Sequence, residues 1–407
     1  MRRGRLTGRN AAASLLRAGA PPKRRPAGRI TVPLRVRAAV LHHAPVARPY
    51  AETRPLTIET IELDPPGPDE VLVKIAGAGL CHSDLSVING DRIRPVPVAL
   101  GHEASGVVEE LGPGVTDLER GDHVVMSFVP TCGGCAPCRE GRGALCEPGN
   151  AANGRGTLLS GEKRIRCDGV EVSHHSGVSA FGEYAVISRR SIVKIDPEIP
   201  LVEAALFGCA VMTGVGAVVN TCRVQMGQSV AVVGLGGVGL SALIGAVASG
   251  AGRIVAVDLS EDKLRVAREL GATDAFLASD PDAVAAIRDA TDGGVDYAFE
   301  MAGSVKAFDT AYRITRRGGT TATAGLANPN HSFTLPPVGL VGEERVVRGS
   351  YMGSCVPARD IPRYIAMYRQ GRLPVNKLMT GTLTLDQINE GFDRLDRGEA
   401  IRQVIAM

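Results

Sequence analysis

Four cysteines fall within fifteen residues, Cys132, Cys135, Cys138 and Cys146, in a loop that also carries GG, APC and GRG. Thiolates this close suit a closed tetrahedral zinc that fixes a loop with no hydrophobic core of its own, and an iron–sulfur cluster is the alternative. A four-cysteine site leaves no open position, so its role is structural. A second set is dispersed: Cys81 in GLCHSD, His102 in GHE and Cys209 in FGCAVMTG. Two thiolates and one imidazole leave a fourth position for water or substrate, as a catalytic zinc requires. Taken singly, each has an ordinary packing explanation.

A third feature makes the dispersed set worth combining. The turn GLGGVG, with Gly234, Gly236, Gly237, Val238 and Gly239, follows the apolar run VAVV and opens a helical pattern, and Asp258 closes the next strand. Tight-turn glycines admit a pyrophosphate to the helix N-terminus, and an acid about 20 residues on binds the adenosine ribose hydroxyls. An aspartate there repels a 2′-phosphate, which favours NAD over NADP. Lys263, in the first turn of the helix after Asp258, adds a cation near the adenosine or is simply solvated.

The elements that must hold these residues read as two kinds. Up to about residue 210, short β-rich segments such as VLVKIAGAGL, GHEASGVVEEL, DHVVMSF and FGEYAVI alternate with Gly- and Pro-containing loops. Beyond residue 212, apolar strands (SVAVVG, RIVAVD, VDYAFEMAG, GGTTATAG) alternate with helical stretches, the pattern of a doubly wound parallel sheet. The predicted organisation is a basic leader over 1–35, a zinc-binding domain over 36–210 with a cysteine lobe around 130–150, an α/β nucleotide domain over 211–352, and a last segment over 353–407 that periodicity assigns to neither domain. In the last segment, IPRYIAMYRQGRL and LTLDQINEGFDRLDRGEA read as two amphipathic helices and IRQVIAM as a strand.

A chain of 407 residues with 50 glycines supports two cores, and its net charge of +3 comes largely from the first 37 residues. There, Arg2, Arg3, Arg5, Arg9, Arg17, Lys23, Arg24, Arg25, Arg29, Arg35 and Arg37 meet no acid. A transit peptide, a flexible tail and an over-extended start all fit that leader. The rest of the chain is net acidic, so nothing points to nucleic acid. No apolar run is long enough to span a membrane. Cysteines in a long chain without an export signal read as metal ligands rather than disulfides, and the expected setting is cytoplasmic, with organellar import through the leader left open.

With GLCHSD, GHEASGVVEELGPGV, the four-cysteine loop, GCAVMTG, VVGLGGVGLSA, VDLSEDK and a closing GEAIR in this order, the chain resembles the zinc-containing medium-chain alcohol dehydrogenases from about Val36 to the C-terminus. The resemblance implies a Rossmann domain joined to a mostly β, GroES-like catalytic domain that includes the C-terminal segment. It also implies NAD, two zinc ions per chain and a small alcohol or aldehyde as substrate.

In that family Cys81, His102 and Cys209 look like the catalytic zinc ligands. Ser83 resembles the proton-accepting hydroxyl, Asp84 the carboxylate that orients His102, and Glu103 the acid behind the zinc, for which a structural ion pair is the other reading. His82 and Arg402 resemble pyrophosphate contacts, and Thr213 a residue near the nicotinamide. Phe128 and His175 resemble channel-lining positions that are aromatic in liver-type enzymes, with a plain core phenylalanine the other reading of Phe128.

Two positions depart from the pattern. Ser86 stands where liver-type enzymes end the proton relay with histidine, and Asn150 where the glutathione-dependent formaldehyde branch has arginine. The resemblance also implies a homodimer formed edge to edge near LPPVGLVG to RVVRGS, a tetramer being the other arrangement. Thiol-adduct dehydrogenases, enzymes that retain their nicotinamide permanently and non-catalytic NAD(H)-binding relatives are the competing expectations. A quinone reductase would lack both cysteine sets.

Overall fold

Valine- and alanine-rich strands without polar alternation demand cover on both faces, and in the computed structural model, which describes residues 32–407, they receive it. Six strands run parallel in the order Asp274–Leu277, Arg253–Asp258, Ser229–Val233, Val295–Glu300, Thr315–Thr323 and Val346–Gly349. Chain order reverses between Ser229–Val233 and Val295–Glu300, which places a crevice at the carboxyl ends of those two strands.

The other half is β-rich. Leu34–Leu41, Leu56–Leu63, Ile165–Cys167, Val170–His174 and Val98–Ala99 close a small barrel. A second sheet is built around the long strand Glu70–Gly79, which pairs with Ala104–Leu111 on one edge. Its other edge is shared by Tyr184–Ser188 and, at the far end, the C-terminal strand Gln403–Ala406. The last segment therefore returns to the first half. Arg35 and Arg37 lie within the first strand, so regular structure begins slightly before the expected end of the leader, whose first 31 residues are outside those described. Among the described residues, no single helix is long and apolar enough to cross a membrane.

One element departs from its pattern. In LTLDQ, Leu383 closes the strand Gly381–Leu383, which pairs with Gln403–Ile405, and a 3-10 turn over Leu385–Gln387 then leads directly into the helix Ile388–Asp396. Thr384 and Gln387 form the reciprocal capping box that starts this turn, so the helical segment begins after Thr384 and not at Leu383.

The smallest pairing in the barrel matters most for the site. Val98–Ala99 lies parallel to Ser173–His174, which brings the residues that follow each strand, among them His102 and His175, to one place. His174 itself is buried, and its Nε2 accepts the Arg164 backbone N–H at 3.1 Å. Burial, helped by the charges of Arg164 and Lys163, pushes its pKa down to about 3. The unfolded chain thus binds this proton near pH 6.5 while the folded chain refuses it, and stability falls as pH drops through that window. His174→Gln should lose stability less steeply than the parent between pH 6.5 and 4, by up to about 1.4 kcal/mol per pH unit. Denaturant unfolding at several pH values measures the slope, and equal slopes would refute the assignment.

Candidate active site

Cys81 is the N-cap residue of the helix His82–Ile88, His102 follows the strand Val98–Ala99, and Cys209 occupies the kink between Ala205–Gly208 and the helix Ala210–Gly216. All three are buried, their ligand atoms lie within 4.8 Å of one another, and Cys209 Sγ is 3.4 Å from His102 Nε2. The Cys209 thiol beside it draws Cys81 well below its usual pKa, against the cost of burial. Buried sulfur and imidazole donors converging on one point fit a zinc ion.

Asp84, in the first turn of the same helix, lies with Oδ2 3.0 Å from His102 Nδ1. Its Oδ1 accepts the Gly101 N–H at 3.0 Å and is 3.0 Å from His175 Nδ1. Burial works to raise this carboxyl, but His102 and His175 prevail and hold it at about 2. An ionised Asp84 keeps the proton of His102 on Nδ1 and leaves Nε2 toward the cysteines. His175 is thus a second imidazole on Asp84, its ring edge-on to His102 at 5.4 Å. The Phe128 ring is also edge-on to His102, at 5.6 Å.

Glu103 is fully buried and tied to two segments distant in the chain. Its Oε2 accepts the Ala210 N–H and lies 3.2 Å from Arg402 Nη2. Burial raises its pKa to about 7 against the pull of Arg402. Arg402 Nη1 donates to the Leu80 carbonyl at 2.8 Å, while its Nε is buried and has no partner. A methyl group on Gly237 would sit 2.6 Å from that Nε, so only glycine lets the guanidinium lie on the turn.

That turn and Cys81 share one cleft of about 350 Å³. Its walls include Gly234–Val238, Asp258 and Lys263 on one side and Cys81, His82, Ser83, Ser86 and Arg402 on the other. The helix Gly237–Ala248 begins at Gly236 with no side-chain cap and no acid in its first turn, so its first N–H groups are free for a pyrophosphate. A Cβ on Gly239 would run into the Gly234 carbonyl. Asp258 accepts from Leu235 N (2.6 Å) and Ser260 N (3.0 Å), and a carboxylate retains further lone pairs for ribose hydroxyls. Thr213 is buried on the helix one turn past Cys209.

Glu300 went unread in the sequence. It ends the strand at the crevice, and its Oε1 accepts from Ala302 N and Gly303 N while its Oε2 accepts from Thr323 Oγ1, which fixes the wall facing the glycine turn. An acid closing the strand VDYAFE was the available signal.

The clustered cysteines lie together, with Cys135 and Cys146 sulfurs 4.0 Å apart. Backbone N–H groups of Gly134 and Cys135 point at Cys132 Sγ, and those of Cys132 and Gly149 at Cys146 Sγ. Those amides lower Cys132 to about 6, and amides directed at sulfur stabilise thiolate, the form that binds metal. Asn150 donates to the Cys146 carbonyl at 2.9 Å.

Fold, fingerprint and donor sets together define a two-domain, zinc-dependent nicotinamide dehydrogenase. The alcohol dehydrogenase GroES-like domain description matches residues 67–197 and the zinc-binding dehydrogenase description residues 237–370. An alcohol dehydrogenase class-3 of Drosophila melanogaster is 38% identical over 358 residues, 86% of this chain and 94% of that protein. Benzyl alcohol dehydrogenase from Acinetobacter calcoaceticus superposes with a TM-score of 0.85 at 32% identity, covering 92% of this chain and 99% of that one. An alcohol dehydrogenase zinc-binding domain protein from Burkholderia ambifaria gives 0.86 at 35% identity, with the same coverage. The chain belongs to the zinc-containing alcohol dehydrogenase family, and it is a zinc- and NAD-dependent oxidoreductase.

Replacing Asp258 by Asn removes the charge that repels a 2′-phosphate and keeps an oxygen for Leu235. Fluorescence titration with NADH and NADPH should show the preference for NADH falling by about tenfold, the order expected for a charge-assisted contact. An unchanged preference would place cofactor selection elsewhere.

Proposed function

We propose that this enzyme interconverts small primary or secondary alcohols with aldehydes or ketones, using dissociable NAD. The observation that carries the reading is the single cleft in which Cys81 and Ser83 face the glycine turn. Cys81, His102 and Cys209 would hold the catalytic zinc and Cys132, Cys135, Cys138 and Cys146 the structural one. The bound metal supplies Lewis acidity at the substrate oxygen, and the nicotinamide supplies or accepts the hydride.

The chain's own groups do the rest. Asp84 orients His102, and the free first-turn amides of the helix Gly237–Ala248 with Arg402 Nε receive the pyrophosphate. Ser83, beside Cys81 in the cleft, accepts the alcohol proton. Ser86 Oγ donates to the His82 carbonyl at 2.8 Å, which leaves its lone pairs to accept a proton moving outward along the cleft that it lines. Asn150, occupied with the Cys146 carbonyl, offers no cation to a glutathione carboxylate.

The zinc-loaded protein should reduce NAD with a series of alcohols, from ethanol to benzyl and long-chain alcohols. Cys209→Ala should lose activity by at least about a hundredfold and, by metal analysis, one of two zinc ions. Full activity in Cys209→Ala would overturn the ligand assignment, and no turnover of any alcohol by protein holding both ions would overturn the reaction.

We further read the chain as a cytoplasmic homodimer. All nine cysteines are free of disulfides, which supports a reducing compartment. The edge strand Val346–Gly349 and helix Pro337–Glu343 bury no residue, and Val338 and Val341 are each 79% exposed. Pairing this edge with a second copy covers both. Val338→Asp with Val341→Asp should give a monomer by light scattering, and a dimer that survives both changes would refute this interface.

A further inference from the structure

Asp84 carries its charge with no lysine or arginine beside it. The residue is fully buried, and among the described residues its ion-pair partners are two histidines, His102 and His175, themselves buried. Oδ1 accepts the Gly101 N–H at 3.0 Å and lies 3.0 Å from His175 Nδ1, while Oδ2 lies 3.0 Å from His102 Nδ1. Two donors on Oδ1 occupy both of its lone pairs and leave Oδ2 to the metal ligand.

The second donor on Oδ1 decides the orientation of the carboxylate. The last torsion of an aspartate side chain is broad, so the single amide of Gly101 does not fix the plane of the group. A donor on a second line does. Imidazole supplies one N–H there without the fixed charge that a guanidinium would bring, so Asp84 keeps its negative charge for His102. A hydrocarbon ring at the same position would leave Oδ1 with one bond and the buried charge poorly solvated.

The backbone that presents His175 is held in an unfavourable conformation. Ser176, Gly177 and Ser179 have φ of 54°, 63° and 53°, the left-handed region that serine avoids. The turn closes on the histidine: His175 N donates to Ser179 Oγ at 2.9 Å, and the His175 carbonyl accepts from Val178 N and Ser179 N. The next two amides, of Ala180 and Phe181, donate to the carbonyls of Gly101 and Leu100, directly before His102. Strained backbone persists where its surroundings over-determine it, and here those bonds lock the loop of one histidine to the loop of the other.

We propose that His175 is a positioning residue for the catalytic metal. Its Nδ1–H fixes the plane of the Asp84 carboxylate, and Asp84 in turn fixes the ring of His102 with Nε2 directed at the metal site. Residue 175 therefore sets how firmly the metal is held, without touching it. The role rests on the metal assignment above and holds whichever alcohol is turned over.

The test is zinc release from the full-length, zinc-loaded protein into excess pyridylazoresorcinol. Cys209→Ala, which lacks the catalytic ion, identifies that ion's phase, and the four-cysteine ion is the control within the same molecule. His175→Phe should speed release of the catalytic ion by at least about tenfold, the effect expected when support behind a metal ligand is lost, and leave the other phase unchanged. His175→Leu, a smaller variant without the donor, should do the same. His175→Asn, whose amide nitrogen falls where Nδ1 does, should stay within about threefold of the parent. In an Asp84→Asn background His175→Phe should add less than about threefold, because a residue that acts through Asp84 has nothing left to act on.

Unchanged release in both donor-free variants, an undiminished effect in the Asp84→Asn background, failure of asparagine to restore the parent rate, or equal acceleration of both ions would each overturn the proposal. So would a third zinc ion in the parent that His175→Phe loses. Asp84, His102 and His175 offer ligand atoms within 4.8 Å of one another, and a cation would then do the bridging assigned here to N–H groups.

Discussion

One buried ion pair, Glu103 with Arg402, touches the chain next to every catalytic metal ligand. Glu103 follows His102 and accepts from the amide of Ala210, the residue after Cys209. Arg402 donates to the carbonyl of Leu80, the residue before Cys81. The same guanidinium lies on Gly237, so the spacing of metal site and cofactor turn is set through one group. A pair this deeply buried contributes little net stability, because desolvation offsets most of the attraction. Removing either partner would strand a charge beside two cysteine sulfurs and the pyrophosphate site. Its value here is geometric.

Much of this was legible in the sequence for a physical reason: metal ligands and phosphate-binding glycines must be particular residue types at particular spacings. The four-cysteine loop and the glycine turn followed by Asp258 carry their chemistry locally. Cys81, His102 and Cys209 are far apart, and only their conjunction with the fingerprint and the family resemblance assembled them.

What stayed hidden depends on pairing between distant segments. The contact of His175 with Asp84 carries no signal in the sequence, because Asp84 lies far earlier in the chain and is brought to it through a two-residue strand. Only the start of LTLDQ misled, because period alone does not distinguish the last residue of a strand before a capped turn from the first residue of a helix.

The return of the C-terminus explains why a distant residue can be placed so closely. Val404 pairs with Gly79, and Leu80 donates to the Gln403 carbonyl, so Arg402 leaves the ladder next to the loop that begins at Cys81. Side chains alternate across a strand, and a slip of one residue would turn the guanidinium to the opposite face and bring Gln403 into its place. That slip would also move Val404 and Ile405, each fully buried in a different packing layer, into the layer shaped for the other. Core packing of two apolar residues therefore fixes the register, and the register places the charge that joins metal ligands to cofactor.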